Sequence, residues 1–451
     1  MKGATRPTSP ISATDLSPIV GLSREDETWL AEIAKKANTD TLCLGIGTSR
    51  EIQQSPVVSY DSQTGTWWAG RFIGEISYQG RTLRILPRFG MPALMRWLSR
   101  VWGVRLLAST GTYAHGKIWL WELIARLWSN RFLLAAKHGL PRIRAEEVHI
   151  GTSVRGRLLV QETALNLQSG RQNLVSRTRS RRIDPRIGGI ILGAHQHLQR
   201  ELAGGDASGT WLSSRGQELV RELRAAIDRA AIDDAWRSRN PIRYTPINES
   251  FRAAVDLSLV ILRGRPFMSS ADGTAEVYGV LLDMAEIWEL YLYHLIRDGL
   301  PEVEVLHTGR SPDAVFWLLN GRGTDHIGAM KPDILVSSRD GARRLVLDAK
   351  YKTTTPSPGR PYGVLREDLY QMAAYLSVAS APSSLLDGGL LYPQSTHVAS
   401  LAQRSPFRID RSDAKFFFFG IDCDQSHHVG AFTPGEMEFV SGLRKHVIAE
   451  N

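Results

Sequence analysis

Two carboxylates and a lysine stand in stretches that predict β-strands. The stretch MKPDILV places Asp333 after a proline at the start of an apolar run, and LVLDAKYK places Asp348 and Lys350 at the end of another. Because side chains alternate along a strand, Asp348 and Lys350 share one face. An unpaired buried charge is costly, so we expect both carboxylates to converge at the open end of a sheet or at a metal site.

Two carboxylates that converge in this way suit Mg²⁺, which prefers oxygen ligands in octahedral geometry and keeps several of its waters. Asp333, Asp348 and the backbone carbonyl of Ala349 are the predicted protein ligands of one or two Mg²⁺ ions. Lys350 would lie beside a metal-bound water, where its ammonium orients the nucleophile and stabilises the charge that develops on a phosphodiester. A surface ion pair is the alternative explanation, because D-x-K also occurs often by chance.

Two predicted helices bring further polar side chains to this site. In GVLLDMAEIWELYLYHLIRDG, Glu289 falls on the apolar helical face, which is explained if it faces the metal, so Glu289 is a further predicted metal ligand; Glu286, on another side of the helix, is the less favoured alternative. In REDLYQMAAYL, Gln371 and Tyr375 share one stripe of the helix that follows the D-x-K strand. We expect both to reach the site from that helix.

The predicted elements that position these residues form a mixed α/β fold. The composition of residues 1–23 predicts a flexible tail, and residues 24–150 predict an α+β N-terminal domain with a β-hairpin. Residues 151–270 are predicted to be mostly helical. Residues 271–451 alternate helices and strands, which predicts a mixed sheet flanked by helices. Its strands are expected near residues 303–306, 333–336, 345–350, 389–392 and 416–421.

An arginine-rich segment, RQNLVSRTRSRRIDPR, precedes a predicted helix of the middle region. It carries six arginines against one aspartate. A solvated loop and a strip that contacts nucleic-acid phosphates both explain such a cluster, and both stay open. The candidate nucleic-acid-binding residues are Arg171, Arg177, Arg179, Arg181, Arg182 and Arg186.

Composition narrows the class of protein. A net charge of +9 and a pI near 9.6 favour anionic partners such as nucleic acid. The two cysteines, Cys43 and Cys423, make a disulfide framework and a thiolate zinc site implausible, and Cys43 is most simply a buried thiol. The N-terminus lacks the apolar segment of a signal peptide, and charged residues interrupt the most apolar run. We expect a cytoplasmic protein without a membrane span.

Three other motifs carry no predicted chemistry. GTYAHGKI, residues 111–118, matches G-x-x-x-x-G-K, but Ile118 stands where a Ser or Thr hydroxyl would bind Mg²⁺, so we expect no nucleotide site. DCDQSHH, residues 422–428, is expected to be a polar loop rather than a metal site. His195 and His197 lie two residues apart on a predicted helix and therefore do not share a face.

The order of the motifs resembles the McrC family, the nuclease subunit of McrBC modification-dependent restriction systems, within the PD-(D/E)xK nuclease superfamily. The stretch DAKYK followed by LYQMAAY is the more specific part of the resemblance, whereas ISYQGRTLRILPRFG resembles the N-terminal part of the family only loosely. The matching stretches are TSVRGRLL, PINESFRAAVDLSLVIL, LLDMAEIWELY, MKPDILV, LVLDAKYKT and DLYQMAAYL.

The resemblance implies a restriction-endonuclease-like fold for residues 271–451 and a role for each candidate of the site. The residues that it implies to be catalytic are Asp333, Asp348, Lys350 and Glu289, supported by Gln371 and Tyr375.

The resemblance also implies a partner. McrC-like proteins work with a hexameric AAA+ motor of the McrB type, a GTPase or an ATPase, whose own separate domain reads the modified base. The N-terminal part of McrC stimulates that motor, so residues 24–150 are the expected docking region. The present chain has a longer N-terminal region and a further segment beyond residue 395, which leaves the identity of its partner and the nucleotide of that partner open.

The sequence therefore predicts a Mg²⁺-dependent endodeoxyribonuclease subunit of an antiviral restriction complex, with DNA and an AAA+ motor as partners. Because breaks in two strands need two active sites, dimerisation of nuclease domains is expected. Two alternatives stay open: a stand-alone PD-(D/E)xK nuclease, and a noncatalytic DNA-binding adaptor that stimulates an AAA+ partner.

Overall fold

The structure is a computed structural model of the 451-residue chain. Cys43, residues 111–118 and most of residues 422–428 lie outside the residues that it describes, so the predictions made for them stay predictions. The described residues are 10–37, 55–102, 119–203, 211–238, 240–263, 278–308, 315–320, 326–352, 354, 363–379, 385–395, 407–408, 414–423 and 431–448.

The chain divides into two compact units. One lies within residues 1–113 and 266–451, and the other within residues 114–265. Both contain helices and strands, so the predicted mixed α/β class is confirmed. The predicted domain boundaries after residues 23, 150 and 270 stay predictions. Among the described ranges, no helix is both long and apolar enough to cross a bilayer.

Strands from distant parts of the chain form the first sheet of the first unit. β4 (Phe72–Tyr78) and β5 (Arg81–Leu86) make the predicted hairpin, and both residues of its Gln79-Gly80 turn have positive φ. β1 (Ile11–Thr14) runs parallel to β5, and β9 (Tyr278–Asp283) runs antiparallel to β4. The C-terminal part of the chain thus begins as an edge strand of the N-terminal sheet.

Apolar side chains of α1 (Arg24–Lys36) pack on this sheet. A capping box between Ser23 and Asp26 starts the helix. Trp29 and Leu30 are buried in the same core cluster as the inward-facing residues of β4 and β5. The remaining elements of this part are β2 (Val58–Asp61), β3 (Thr66–Ala69) and α2 (Gly90–Trp102).

The rest of the first unit contains a mixed six-stranded sheet. Its strands, in spatial order, are β10 (Glu304–His307), β13 (Ile334–Ser337), β14 (Arg343–Ala349), β15 (Leu385–Gln394), β17 (Lys415–Asp422) and β16 (Phe407–Arg408). β14, β15 and β17 are parallel, whereas the other three are antiparallel to their neighbours. All five predicted strands are present, with ends that differ by one to four residues. β11 (Phe316–Asn320) and β12 (His326–Met330) form a separate pair.

Helices flank this mixed sheet, as predicted: α9 (Met284–Gly299), α10 (Arg366–Ala379) and α11 (Pro434–Val447). α10 lies over the face that carries Val346, and Phe439 of α11 packs edge-on against Phe419 of β17. A Cβ at Gly388 would lie 2.7 Å from Met372 Sδ, so glycine at this point of β15 allows the helix to approach closely.

The second unit combines helices with one small sheet. Its strands are β6 (Arg142–Gly151), β8 (Leu174–Ile183) and β7 (Arg157–Leu158), in that spatial order. Its α-helices are α3 (Trp119–Ala135), α4 (Val160–Gln168), α5 (Pro185–Glu201), α6 (Ser214–Ala226), α7 (Arg229–Arg237) and α8 (Arg252–Arg263). The apolar run predicted as a helix forms α3 and a 3₁₀ turn, which end at Gly139 with φ of 103°.

Helix α5 forms the centre of the second unit. It is buried along most of its length, including His195, which lies beside the rings of Trp128 and Trp211. At Gly189 a Cβ would lie 2.8 Å from that of Ala235, so the glycine lets α7 pack closely. The histidines of this helix are core residues, in line with their discounted role as ligands.

Candidate active site

The antiparallel pairing of β13 and β14 brings the two predicted carboxylates together. Ile334 lies opposite Leu347, and one further step along the same register places Asp333 opposite Asp348. Asp333 Oδ2 accepts a hydrogen bond from the backbone N–H of Ala349 at 2.6 Å. Asp348 is buried, with 2% of its surface exposed. The predicted convergence of these carboxylates at one end of the sheet is therefore what the structure contains.

The environment of the two carboxylates disfavours negative charge. Burial raises the pKa of Asp333 well above its ordinary value, and the charges of Asp348 and Glu289 raise it further. Burial likewise raises the pKa of Asp348, although the ammonium of Lys350 opposes that effect. A site with several carboxyl groups so close together is suited to a cation, because its positive charge would allow both Asp333 and Asp348 to ionise.

Lys350 supplies one positive charge to this acidic cluster. Its Nζ forms an ion pair with Asp348 Oδ2, lies 3.9 Å from Asp368 Oδ1 and donates a hydrogen bond to Gln371 Oε1 at 2.8 Å. Burial alone lowers the pKa of Lys350, but the neighbouring carboxylates, Asp348 first, raise it above its ordinary value. The lysine is therefore an ammonium at neutral pH and acts as a hydrogen-bond donor.

Two side chains of helix α10, Gln371 and Tyr375, help to hold Lys350 in place. Gln371 Nε2 donates to Tyr375 Oη at 2.8 Å, and that hydroxyl donates to the carbonyl of Lys331 at 3.1 Å. The two side chains lie one helical turn apart, as their spacing predicts. The resulting chain of hydrogen bonds connects Lys350 to the backbone that precedes Asp333.

Glu289 reaches the same region from α9. Its Oε1 lies 2.8 Å from Nε2 of His307, a buried residue at the end of β10 that pairs with Ile334. The charge of Glu289 raises the pKa of both carboxyl groups of the site, which places it within their electrostatic reach. The structure thus brings Glu289 to the cluster, together with His307, a neighbour that no sequence motif indicates.

Asp368 is a further acidic residue of this cluster without a predicted role. It lies in the first turn of α10 and is 3% exposed. Its Oδ1 accepts from Lys352 Nζ at 2.7 Å, and its Oδ2 accepts from Tyr392 Oη at 3.4 Å. The signal that could have identified it is its position one turn before Gln371, on the stripe that faces the lysine.

The donor set fits Mg²⁺ in part. Asp333 and Asp348 provide carboxylate oxygens, and the carbonyl of Ala349 is the predicted third ligand. Within the described ranges, no three side chains of His, Cys, Asp or Glu lie close enough to form a metal site by themselves, so Glu289 is not placed as a direct ligand. Two carboxylates with waters are an ordinary protein contribution for Mg²⁺, which gives up its waters reluctantly.

The arginine-rich segment is a strand rather than a loop over most of its length. Residues 174–183 form β8, and its exposed residues Arg177, Arg179 and Arg181 share one face. Glu146 of the paired strand lies 3.4 Å from Arg177 Nη1 and 3.2 Å from Arg179 Nε.

The other three candidate arginines do not join that face. Arg182 points to the opposite side of β8, and Arg171 precedes the strand. Arg186 donates to the backbone carbonyls of Asn240 and Pro241, at 3.2 Å for the latter. Of the six arginines of the predicted strip, three therefore lie in a row on one face of β8.

A mixed sheet that gathers two carboxylates and a lysine at one end defines a mixed α/β protein with an acidic candidate active site. The family model of the McrBC 5-methylcytosine restriction system component matches residues 68–393. The chain therefore belongs to this family, which confirms the resemblance seen in its motifs. No curated protein matches the chain.

A solved structure shares the fold. A chain of the refined half-complex from the tetradecameric assembly of Thermococcus gammatolerans McrB AAA+ hexamers with bound McrC matches with a TM-score of 0.57 at 16% identity. The match covers 97% of the present chain and 99% of that chain. A chain of the Thermococcus gammatolerans McrBC complex matches with a TM-score of 0.39 at 16% identity, covering 65% of the present chain and 88% of that one.

Proposed function

We propose that this chain is the Mg²⁺-dependent endonuclease subunit of an antiviral restriction complex and that its C-terminal part is a PD-(D/E)xK nuclease domain. The observation that carries the proposal is the convergence of Asp333, Asp348 and Lys350 at one end of the mixed sheet. Membership of the McrBC family supports the same activity. The substrate is the phosphodiester backbone of DNA.

Each residue has a role that follows from its contacts. Asp333 and Asp348 would hold Mg²⁺, which when bound lowers the pKa of a water and neutralises charge on the phosphate. Lys350 orients the attacking water and stabilises the negative charge of the transition state. Water attacks phosphorus, one P–O ester bond breaks, and the leaving oxygen takes up a proton.

Two polar residues of α10 keep the lysine in place during this reaction. Gln371 accepts a hydrogen bond from Lys350, and Tyr375 fixes the amide of Gln371. Because the carboxamide and the hydroxyl are neutral, they hold the ammonium without neutralising it. Glu289 adds negative charge to the metal region and is itself held beside His307.

The basic face of β8 is the proposed contact with DNA in the second unit. Arg177, Arg179 and Arg181 alternate with the half-buried Thr178 and Ser180, so they present three guanidinium groups on one face of the sheet. Arginine forms bidentate contacts with phosphate, and such contacts are independent of base sequence. This face would therefore strengthen DNA binding without selecting the modified base.

An AAA+ NTPase of the McrB type is the proposed partner. The proposal rests on family membership and on the shared fold with a chain from an assembly of McrB AAA+ hexamers with bound McrC. The motor would supply base recognition and DNA movement, and two nuclease sites would meet for cleavage of both strands. We also propose that the complex works in the cytoplasm.

Cleavage of supercoiled plasmid by the purified 451-residue chain, with and without an AAA+ protein of the McrB type, tests the proposal. We expect cutting of cytosine-modified plasmid only with that protein, its NTP and Mg²⁺, and none after chelation by EDTA. Cutting by the chain alone would indicate a stand-alone nuclease. Stimulation of the NTPase without any cutting would indicate a noncatalytic adaptor.

A further inference from the structure

The residues that follow strand β14 face two different parts of the first unit. Lys350 and Lys352 form ion pairs with acidic residues of the candidate active site. Tyr351, between them, is 4% exposed, and its hydroxyl donates a hydrogen bond to Asp15 Oδ2 at 2.8 Å. Asp15 belongs to the N-terminal sheet, so one tyrosine joins that sheet to the catalytic lysine.

Asp15 is held firmly at the end of β1. It is fully buried, and its backbone N–H donates to the carbonyl of Leu86 at 3.0 Å. Its Oδ1 accepts from the backbone N–H of Arg88 at 2.6 Å, which leaves Oδ2 for the tyrosine. A buried carboxylate with these fixed partners is a rigid acceptor.

Arg88 holds the same tyrosine from a second direction. Its guanidinium stacks over the ring of Tyr351 at 4.3 Å, and its Nη2 donates to the carbonyl of Lys352 at 3.4 Å. Edge-on contacts with the rings of Phe89 and Trp97 complete the surroundings of the tyrosine. All these groups come from the N-terminal part of the chain.

Two hydrogen bonds among the described residues also hold the backbone of this segment. β14 ends at Ala349, and beyond it the N–H of Lys350 donates to the carbonyl of Leu391 at 2.8 Å. The N–H of Lys352 donates to the carbonyl of Lys350 at 2.9 Å, a contact within the segment itself. The side chain of Tyr351 therefore anchors this segment to the N-terminal part of the chain, whereas the ammonium of Lys350 is held by Asp348 and Gln371.

We propose that Asp15 and Arg88 are positioning residues of the nuclease site, which act on Lys350 by holding Tyr351. This inference rests on the proposed function. It assigns the N-terminal sheet a part in catalysis: a partner that displaces this sheet moves the catalytic lysine, and one that fixes the sheet stabilises the active geometry.

Hydrogen–deuterium exchange of the full-length chain tests the positioning directly. We expect Tyr351→Phe and Asp15→Ala each to speed exchange of the amides of Ala349, Lys350 and Lys352 on the order of tenfold, because each leaves a buried group without its partner. The double variant should exchange no faster than the singles, since both remove the same contact. Unchanged exchange at these amides in both variants would overturn the proposal.

Tyr78→Phe is the matched control. Tyr78 is an equally buried tyrosine of the N-terminal sheet, and its hydroxyl contacts Lys36 instead of Asp15. It should leave exchange of residues 349–352 unchanged. If this control speeds that exchange as much as Tyr351→Phe, general loosening of the sheet is the cause, and the proposed role of the junction is wrong.

Cleavage kinetics provide the second readout. In a wild type that cuts DNA with its AAA+ partner, Tyr351→Phe and Asp15→Ala should lower kcat about tenfold with unchanged KM for DNA. Equal kcat in variants and wild type would contradict the positioning role. A wild type that never cuts would refute the proposed nuclease function instead, and the exchange result would still decide whether the junction holds Lys350.

Discussion

Asp333 Oδ2 accepts a hydrogen bond from the backbone N–H of Ala349, the residue between Asp348 and Lys350. This single contact fixes the distance between the start of one strand and the end of its neighbour. It also turns one carboxylate oxygen toward the backbone and leaves the other for a ligand. The two acidic residues are thereby held close together, at an electrostatic cost to the fold.

That cost leads to a prediction for Asp333→Asn. Burial and two neighbouring carboxylates raise the pKa of Asp333, so removal of its charge should increase the free energy of unfolding, by about 1 kcal/mol. The same change should abolish cleavage. Urea unfolding without divalent ions and a cleavage assay measure the two effects. Loss of stability together with retained cleavage would contradict the placement of Asp333 in the site.

Gln371 and Tyr375 should affect turnover in graded steps. Gln371→Leu removes the acceptor of the Lys350 ammonium, and we expect the single-turnover rate to fall about 30-fold. Tyr375→Phe acts one hydrogen bond further away and should lower it about threefold. Glu367→Gln, on an exposed position of the same helix, is the control. The reverse order of effects would exclude the proposed chain of contacts.

The basic face of β8 predicts a change in the salt dependence of DNA binding. Replacing Arg177, Arg179 and Arg181 by Gln should weaken binding and lower the slope of log affinity against log salt by about 3, because three phosphate contacts are lost. Fluorescence anisotropy with a short duplex measures this slope. A control with the same charge change replaces three exposed arginines of α6 and α7: Arg215, Arg221 and Arg229. Equal slopes for both triple variants would remove the basis for a specific DNA face.

His195 predicts a pH dependence of stability. Burial lowers its pKa from 6.5 to about 4, and the charge of Arg224 acts in the same direction. Between pH 4 and pH 6.5 this imidazole is protonated in the unfolded chain but neutral in the folded chain. The free energy of unfolding therefore falls as the pH decreases from 6.5 to 4. The free energy of unfolding at pH 4 is lower than that at pH 6.5 by on the order of 3 kcal/mol through this group.

Urea unfolding of wild type and His195→Leu at pH 7 and pH 5 tests this sign. The wild type should lose more stability between these values than the variant, because only the wild type has the buried imidazole. Carboxyl groups that titrate in both proteins contribute equally to both losses, so their effect cancels in the comparison. An equal loss in the two proteins would show that His195 is not held in its neutral form.

Local sequence rules predicted the elements of the candidate site well. Pro332 and the apolar runs located β13 and β14, and alternation placed Asp348 and Lys350 on one face. Helical spacing selected Gln371 and Tyr375, and both contact the predicted region. These successes depend only on residues close together in sequence.

Contacts between distant segments were beyond such rules. Pairing of β4 with β9 joins residues about 200 positions apart, and nothing in either strand specifies its partner. No motif around Tyr351 indicates its contact with Asp15, 336 positions away in the sequence. The arginine-rich segment was ambiguous for another reason. Its six arginines interrupt the alternation of apolar and polar residues by which strands are recognised.

Single-turnover cleavage by Asp348→Asn, in the presence of the AAA+ partner and Mg²⁺, tests the central claim most directly. Asp340→Asn, an exposed carboxylate in the turn between β13 and β14, is the matched control. We expect Asp348→Asn to lower the cleavage rate by more than about 1,000-fold while partner binding and NTPase stimulation persist, and the control to cut like wild type. Cleavage by Asp348→Asn at the wild-type rate would contradict the assignment of this site as the nuclease centre.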